Sequence, residues 1–547
     1  MNNKIFSGVI TAQQEFLYPD TQCHLLPDVL HIATAKNGMR NIQLLIETTG
    51  ENVRLSLEAD FFTPEWYQMI AIPVGYNTGD GEEQGGAMIL EERPTEKPAY
   101  TTRLAPFDVF DCLRPRENGV VPVQNGKAAA CITLKPHCGV PEGKHSLVLH
   151  IDMAQGRYSC AITVDVYNVE IPKDDFPITY WFSIEDICRF HKAEYNSPAY
   201  FAVLKKYIAA MRRVRQNTFL MLLDERCVSS RAPYMFDFEY LTPTIEQFFD
   251  GGMVRMEIGH LLSRGYKPDG SKDMYSGIFK CAMAHDVPVN SFEGYAITVK
   301  YVQQLGEYLK NHGWLEKTLF HIHDEPDIHV ENEVAMETRK RDYQLAGNIL
   351  RKYIPGARVI EATKSTLFRG SIDVLVPDTA GFEAYRAEFE QLAEMGHEVW
   401  SYVCCGPEGH WLNRFLDYAV LKDRLLFWGF AKNKISGFLQ WGFNQFPDKM
   451  NPFIATECPN DTGIGTNFPC GDSFMVYPGD DGPWIGTRFE AWRAGAEDIA
   501  LLHLLKKKNP AKASTLISEV FTDNQQYNED PAHFETVYEE LLRALTE

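Results

Sequence analysis

The chain has no run of eighteen apolar residues, so no segment has the length and hydrophobicity of a membrane-spanning helix. Its 12 cysteines include no C-x-x-C pair, which removes the usual spacing of a zinc ribbon or a redox dithiol. There is no Gly-x-Gly-x-x-Gly loop and no Gly-x-Ser-x-Gly elbow, the signatures of dinucleotide folds and serine hydrolases. Internal repeats and low-complexity tracts are also missing. Basic residues are in deficit: 53 Lys and Arg against 74 Asp and Glu give a formal charge of −21. A field of that sign repels phosphate backbones and anionic lipids, so neither nucleic acid nor membrane is an expected partner. The opening MNNKIFSGV lacks the apolar core and cleavage site of a secretory leader. Scattered cysteines then read as reduced thiols, and the expected location is the cytoplasm unless a leader has been removed.

The chain itself is 547 residues long, with 45% hydrophobic and 23% charged residues, enough for two or three cored domains. Residues 1–172 read as strands, among them 31–35, 41–48, 53–59, 128–134, 145–153 and 158–167. They alternate or run apolar between Gly, Pro and Asn turns, and Gln155-Gly156 marks a hairpin. Strands at that spacing without helices indicate an N-terminal antiparallel β-sandwich. The Pro- and charge-rich stretch 170–177 (EIPKDDFP) reads as a linker.

Beyond it the pattern becomes strand–helix alternation. Strands are expected at 178–184, 218–223, 254–258, 318–324, 358–362, 372–376, 398–404 and 437–441, with amphipathic helices between several of them. Eight such strands fit an α/β fold with a (β/α)8 barrel over residues 175–510. An aromatic-rich loop follows from 443 to 484, then helices, the last of them a C-terminal extension over 511–547.

The stretch that organises the chain is 317–327, K-T-L-F-H-I-H-D-E-P-D. An apolar strand stops at Asp324-Glu325-Pro326, because proline lacks an N–H and pushes its predecessor out of helical geometry. Two adjacent carboxyls thus stand at the carboxyl end of a buried strand, where barrel enzymes place their chemistry. On a regular strand they would face opposite ways, so they share a pocket only if the strand end twists or bulges. The other strand ends offer Glu185-Asp186, His260, Asp378, Tyr402, and Trp441 with Asn444. Acids, amides and aromatic faces with few cations suit a neutral polyol better than a phosphate ester. Trp484 closes the long loop and is a further candidate for the sugar site. His321 and His323 form an H-x-H pair that can ligate zinc, with His260, His285 and His410 as further histidines. The alternative is that they are buried and hydrogen-bonded, and position the acids; on that reading no metal and no cofactor are needed.

Several ordered motifs resemble glycoside hydrolase family 123. They are Asp324-Glu325-Pro326, W-S-Y-V-C-C-G-P from Trp400, G-F-L-Q-W-G from Gly437, G-D-S-F-M-V-Y-P-G from Gly471 and T-R-F-E-A-W-R-A-G-A-E-D from Thr487. A-P-F-D-V-F-D from Ala105 resembles part of the β-sandwich that precedes the barrel in that family. The resemblance implies a retaining exo-β-N-acetylgalactosaminidase acting on a small glycan. Asp324 would orient and polarise the substrate's 2-acetamido group, whose oxygen attacks the anomeric carbon, and Glu325 would be the general acid/base. Tyr402, Trp441, His260, His323, Asn444, Glu185 and Trp484 are the expected substrate-binding residues. Three alternatives stay open: a glycosidase for another sugar with a separate nucleophile, a metal-dependent hydrolase using His321 and His323, and a non-catalytic carbohydrate-binding protein.

Overall fold

The computed structural model describes residues 6–81, 87–173 and 176–547. The described residues up to Tyr167 make a first structural segment of two facing β-sheets. One contains Ser7–Thr11, Arg40–Glu47, Lys127–Pro136, Phe62–Val74 and Phe107–Pro115; the other contains Val29–Ala35, Gly156–Tyr167, Gly143–Met153, Asn52–Glu58 and Val120–Pro122. Inward residues of both, such as Ile42, Leu44, Ile132, Leu149 and Ile162, make one dry core. The expected hairpin is present, with Met153 opposite Gly156, whose φ of +133° only glycine adopts easily.

Two details differ from the sequence reading. The pairing of Val29–Ala35 with Ala161–Tyr167 is parallel, while the other pairings within the sandwich are antiparallel. The chain crosses from one sheet to the other between Ala35 and Arg40, so no hairpin forces that strand's direction. The thirteen-residue strand Phe62–Val74 is missing from the expected set. Its Pro64, Pro73, Glu65 and Gln68 interrupt the alternation on which strand recognition depends.

The second segment is a (β/α)8-type barrel. Its strands are Ile178–Tyr180, Thr218–Leu222, Arg255–Gly259, Thr318–Phe320, Arg358–Thr363, Val374–Pro377, a split seventh strand, and Phe438–Gln440. All pair in parallel. The seventh strand divides at Trp400. Glu398–Val399 pairs with the sixth strand and Ser401–Tyr402 with the eighth, which brings the two ends of the sheet together. Helices Pro198–Arg213, Phe292–Asn311, Glu333–Tyr353 and Leu421–Asn433 cover the outside, and Thr487–Lys508, Pro510–Val520 and Pro531–Thr546 follow as C-terminal helices.

The barrel and sandwich interlock. After the long loop, Val476–Pro478 and Pro483–Gly486 extend the first sandwich sheet beside Phe107–Pro115. Asp111, fully buried, accepts from Tyr477 Oη at 2.6 Å and from Arg488 N and Nε at 2.9 and 3.1 Å. The Arg488 guanidinium also donates to the carbonyls of Arg414 and Gly471, each at 2.8 Å. Three separated sequence motifs thus meet in one buried ion pair. Asp111→Ala leaves that guanidinium without its counter-charge, and should cost about 3–5 kcal/mol, read as a melting temperature several degrees lower; an unchanged melting curve contradicts this role.

Candidate active site

The fourth barrel strand is regular for only three residues, Thr318–Phe320. Past it, the backbone is held by a side chain: the N–H groups of Ile322 and His323 both donate to Glu361 Oε2 at 3.0 Å. Tyr343 Oη donates to the same oxygen at 2.9 Å. The His321 ring lies between two acids, with Nε2 2.8 Å from Glu257 Oε2 and Nδ1 2.9 Å from Glu361 Oε1. Trp181 Nε1 donates to Glu257 at 3.1 Å. His321, Glu257 and Glu361 are all fully buried. Burial alone would lower the histidine's pKa, but hydrogen bonds to Glu257 and Glu361 outweigh it and push it up to about 10. His321 is therefore an imidazolium, with both nitrogens committed.

Asp324 and Glu325 follow directly. Glu325 has φ +47°, a left-handed conformation that costs a non-glycine residue about 1–3 kcal/mol. This twist replaces the alternation of a strand and lets the two acids line one cavity of about 480 Å³. Neighbours hold the turn in place. Arg264 Nη2 donates to the Glu325 carbonyl at 2.7 Å, and Asp327 accepts from Ser365 N and Oγ at 2.8 and 2.6 Å. The Tyr402 hydroxyl, reaching across from the seventh strand, donates to the Glu325 carboxylate. Burial first, then the charges of Glu325 and Glu361, push Asp324 up to about 8. At neutral pH that shift favours the protonated form of Asp324.

His260 and His323 line the same cavity. Burial pushes His260 down to about 3, aided by the charge on His321, and drives His323 well below its ordinary range. Both are neutral rings. His260 Nε2 and His323 Nδ1 have no hydrogen-bond partner among the described residues, and the His323 ring packs on Phe279 with centroids 4.4 Å apart. Thr462, from the loop after the eighth strand, closes part of the rim. Outside that lining, Trp441 Nε1 donates to Asp472 Oδ2 at 3.1 Å, and burial, tempered by Arg414, raises Asp472 to about 6. Lys364 forms an ion pair with buried Asp378, the N-cap of the helix after the sixth strand.

Three expected binding residues are placed differently. Asn444 spends its amide on the backbone of Ser183, accepting from its N–H at 3.0 Å and donating to its carbonyl at 3.1 Å. The first strand ends at Tyr180, and Glu185 lies exposed in the first turn of helix Ile184–His191. A serine cap at Ser183 starts that helix and carries Glu185 away from the strand end. Trp484 sits in the extended sandwich sheet, under the Arg114 guanidinium at 4.9 Å. None of the three lines the cavity that holds the acids, and neither does Trp441, which packs against Phe468 with ring centroids 6.0 Å apart.

Glu257, Glu361 and Trp181 are absent from the sequence-based site. The available signal was a lone acid within each apolar strand, M-E-I-G and V-I-E-A, since a charge buried on both faces needs a partner. His260, His321 and Glu361 are also close enough to hold a cation. An imidazolium bound at both nitrogens is, however, a poor ligand.

The sequence model of the glycoside hydrolase 123 catalytic domain matches residues 181–505. The chain belongs to glycoside hydrolase family 123. The fold agrees: a family 123 glycoside hydrolase from Clostridium perfringens, described for glycolipid glycan hydrolysis, superimposes with a TM-score of 0.72. The match covers 99% of this chain and 98% of that one, at 13% identity. A family 39 glycoside hydrolase from the gut symbiont Bacteroides cellulosilyticus WH2 is a remote likeness, with a TM-score of 0.36 and 11% identity over 86% of this chain and 82% of that one. No curated protein matches the sequence.

In this family 123 protein the raised Asp324 pKa has a stability consequence with a definite sign. A carboxyl at about 8 when folded and about 3.9 unfolded favours the fold most below pH 4, and that contribution is lost as pH rises to 8. Asp324→Asn should therefore raise the melting temperature more at pH 9 than at pH 5. Equal shifts at both pH values would show that the carboxyl is not held protonated.

Proposed function

We propose that this family 123 glycosidase is a retaining exo-β-N-acetylgalactosaminidase that uses the substrate's own 2-acetamido oxygen as nucleophile. The observation that carries the reading is the adjacent pair Asp324-Glu325 in one cavity, held from behind by the Glu257–His321–Glu361 network. A scheme with two distant carboxylates needs an acid and a nucleophile about 5 Å apart on either side of the bond. Adjacent acids suit a different division of labour, in which one serves the acetamido group and the other the glycosidic oxygen.

On this reading Asp324 accepts the acetamido N–H and supports the positive charge that develops as the carbonyl oxygen closes on the anomeric carbon. Glu325 gives its proton to the departing oxygen, then takes one from the water that opens the oxazolinium. When the amide approaches, Asp324 works best as an anion, so its proton passes to Glu325, where it is needed. Tyr402 fixes the Glu325 carboxylate and, in the proposal, also touches the acetamido oxygen. Trp441 offers an indole face to the sugar, with its N–H occupied by Asp472. His260 and His323, neutral and with free ring nitrogens, suit uncharged hydroxyls better than a phosphate.

A metal-dependent reaction is the second reading, favoured by the His260, His321 and Glu361 cluster. It requires His321 to shed a proton that Glu257 and Glu361 hold in place. Dialysis against a strong chelator should leave turnover unchanged; loss that zinc restores would establish the metal reading instead.

The roles of the two acids separate on leaving groups. Glu325→Gln should lower turnover of an unactivated glycoside by about 10²–10⁴-fold, with much of it recovered on a dinitrophenyl glycoside that needs no proton. Asp324→Asn should lose about 10²–10³-fold on both, because formation of the intermediate is itself impaired. Near-normal turnover in Asp324→Asn would mean that a carboxylate elsewhere is the nucleophile.

A further inference from the structure

The seventh strand ends in two adjacent cysteines, and no step of the hydrolysis uses them. Cys404 continues the inward register of Trp400 and Tyr402 and packs, with Trp181, against the barrel core at its mouth. The Cys405 thiol donates to the Cys404 sulfur at 3.8 Å. Both residues are partly exposed, and the charges of Glu325 and Asp472 reach Cys405 from the two sides of the site. The turn that carries them is held by Asn413, whose amide donates to the carbonyls of Cys404 and Pro407 at 3.0 and 3.1 Å.

We propose that Cys404 and Cys405 are a reversible modification site, closing to a vicinal disulfide in the presence of a low-molecular-weight disulfide and switching hydrolysis off. The Cys404 thiolate attacks one sulfur of the small disulfide and expels a small thiolate, leaving a mixed disulfide on Cys404. Cys405, deprotonated, then attacks the Cys404 sulfur and expels the second small thiolate. Two protein thiols become one disulfide, and the reagent leaves as two thiols carrying the two protons and two electrons. Cys404 attacks after giving up the proton that it otherwise donates to the Gly406 carbonyl at 3.6 Å, its sulfur being the acceptor of the Cys405 S–H. That hydrogen bond, followed by burial, raises the Cys405 thiol well above its ordinary range, so ring closure is the slower step and speeds up with pH.

Adjacent Cα atoms are about 3.8 Å apart, below the usual span of about 4.4–6.8 Å for a disulfide. The bridge is therefore strained and easily reduced, which is the property of a labile rather than a structural disulfide. Drawing the sulfurs together reshapes the turn two residues beyond Tyr402, whose hydroxyl holds Glu325.

This inference rests on Glu325 lying at the sugar site, not on which sugar binds. The full-length reduced protein is incubated with oxidised glutathione. Turnover is then read on the best substrate of a nitrophenyl glycoside panel, so a wrong sugar assignment changes the substrate and not the outcome. The peptide spanning Cys404 and Cys405 should lose two hydrogens. Turnover should fall on the order of tenfold or more, and dithiothreitol should restore both. Cys405→Ser should stop at the mixed disulfide, its peptide gaining one glutathionyl group on Cys404 and losing no pair of hydrogens. The proposal is overturned if that peptide never loses two hydrogens, if it does so with turnover unchanged, or if Cys405→Ser takes up no glutathionyl group on Cys404.

Discussion

The site depends on one buried charge arrangement, an imidazolium between two carboxylates. His321 is the cationic partner of both acids, and burial, tempered by that partner, raises Glu361 above the ordinary carboxylate range. Besides His321, the donors to three of its four carboxylate oxygens are the Trp181 indole, the Tyr343 hydroxyl and two backbone N–H groups, while Glu257 Oε1 has no partner among the described residues. The same contacts fix the path of the chain from His321 to His323. They therefore decide where Asp324 emerges, and the charge of Glu361 helps to raise its pKa. Geometry and protonation of the acid pair have a common origin.

From that centre the mouth is assembled by elements far apart in sequence. The third strand leads to His260, the fourth to the acids, the seventh supplies Tyr402, and the long loop Thr462. The loop is anchored beyond its tip, because Val476–Pro478 and Pro483–Gly486 are strands of the sandwich sheet. The Asp111–Arg488 pair locks that anchor to the first turn of Thr487–Lys508. The sandwich thus sets the position of one rim of the pocket. This gives a physical reason for motifs that surround no catalytic group: they hold the loop that holds Asp472.

What was legible in the sequence follows from which signals are local. Eight apolar strands with helices between them, and a loop rich in turns after the last, read directly as a barrel with its mouth. The acid pair stands out because Pro326 follows it at the end of an apolar run. Residues whose role depends on distant partners were harder to read. Asn444 and Ser183 are 261 residues apart and meet only once the first and eighth strands pair. Glu185 was displaced by a local serine cap that the strand pattern concealed. Trp484 was assigned to the mouth because it closes the loop, yet the loop's end belongs to the sandwich. Glu257 and Glu361 lie on strands recognised from their apolar neighbours, and their partner His321 is visible only when the third, fourth and fifth strands lie side by side.

The central claim is that the acetamido oxygen of the substrate is the nucleophile, with Asp324 beneath it. The most direct measurement is turnover of aryl β-galactosaminides whose N-acyl group carries zero, one, two or three fluorines. Fluorine withdraws electrons from the carbonyl oxygen with little change in size. If that oxygen attacks the anomeric carbon, kcat/KM falls steeply and in order across the series. A flat series, with the trifluoroacetyl substrate turned over as fast as the acetyl one, would contradict the account and return the nucleophile to the protein.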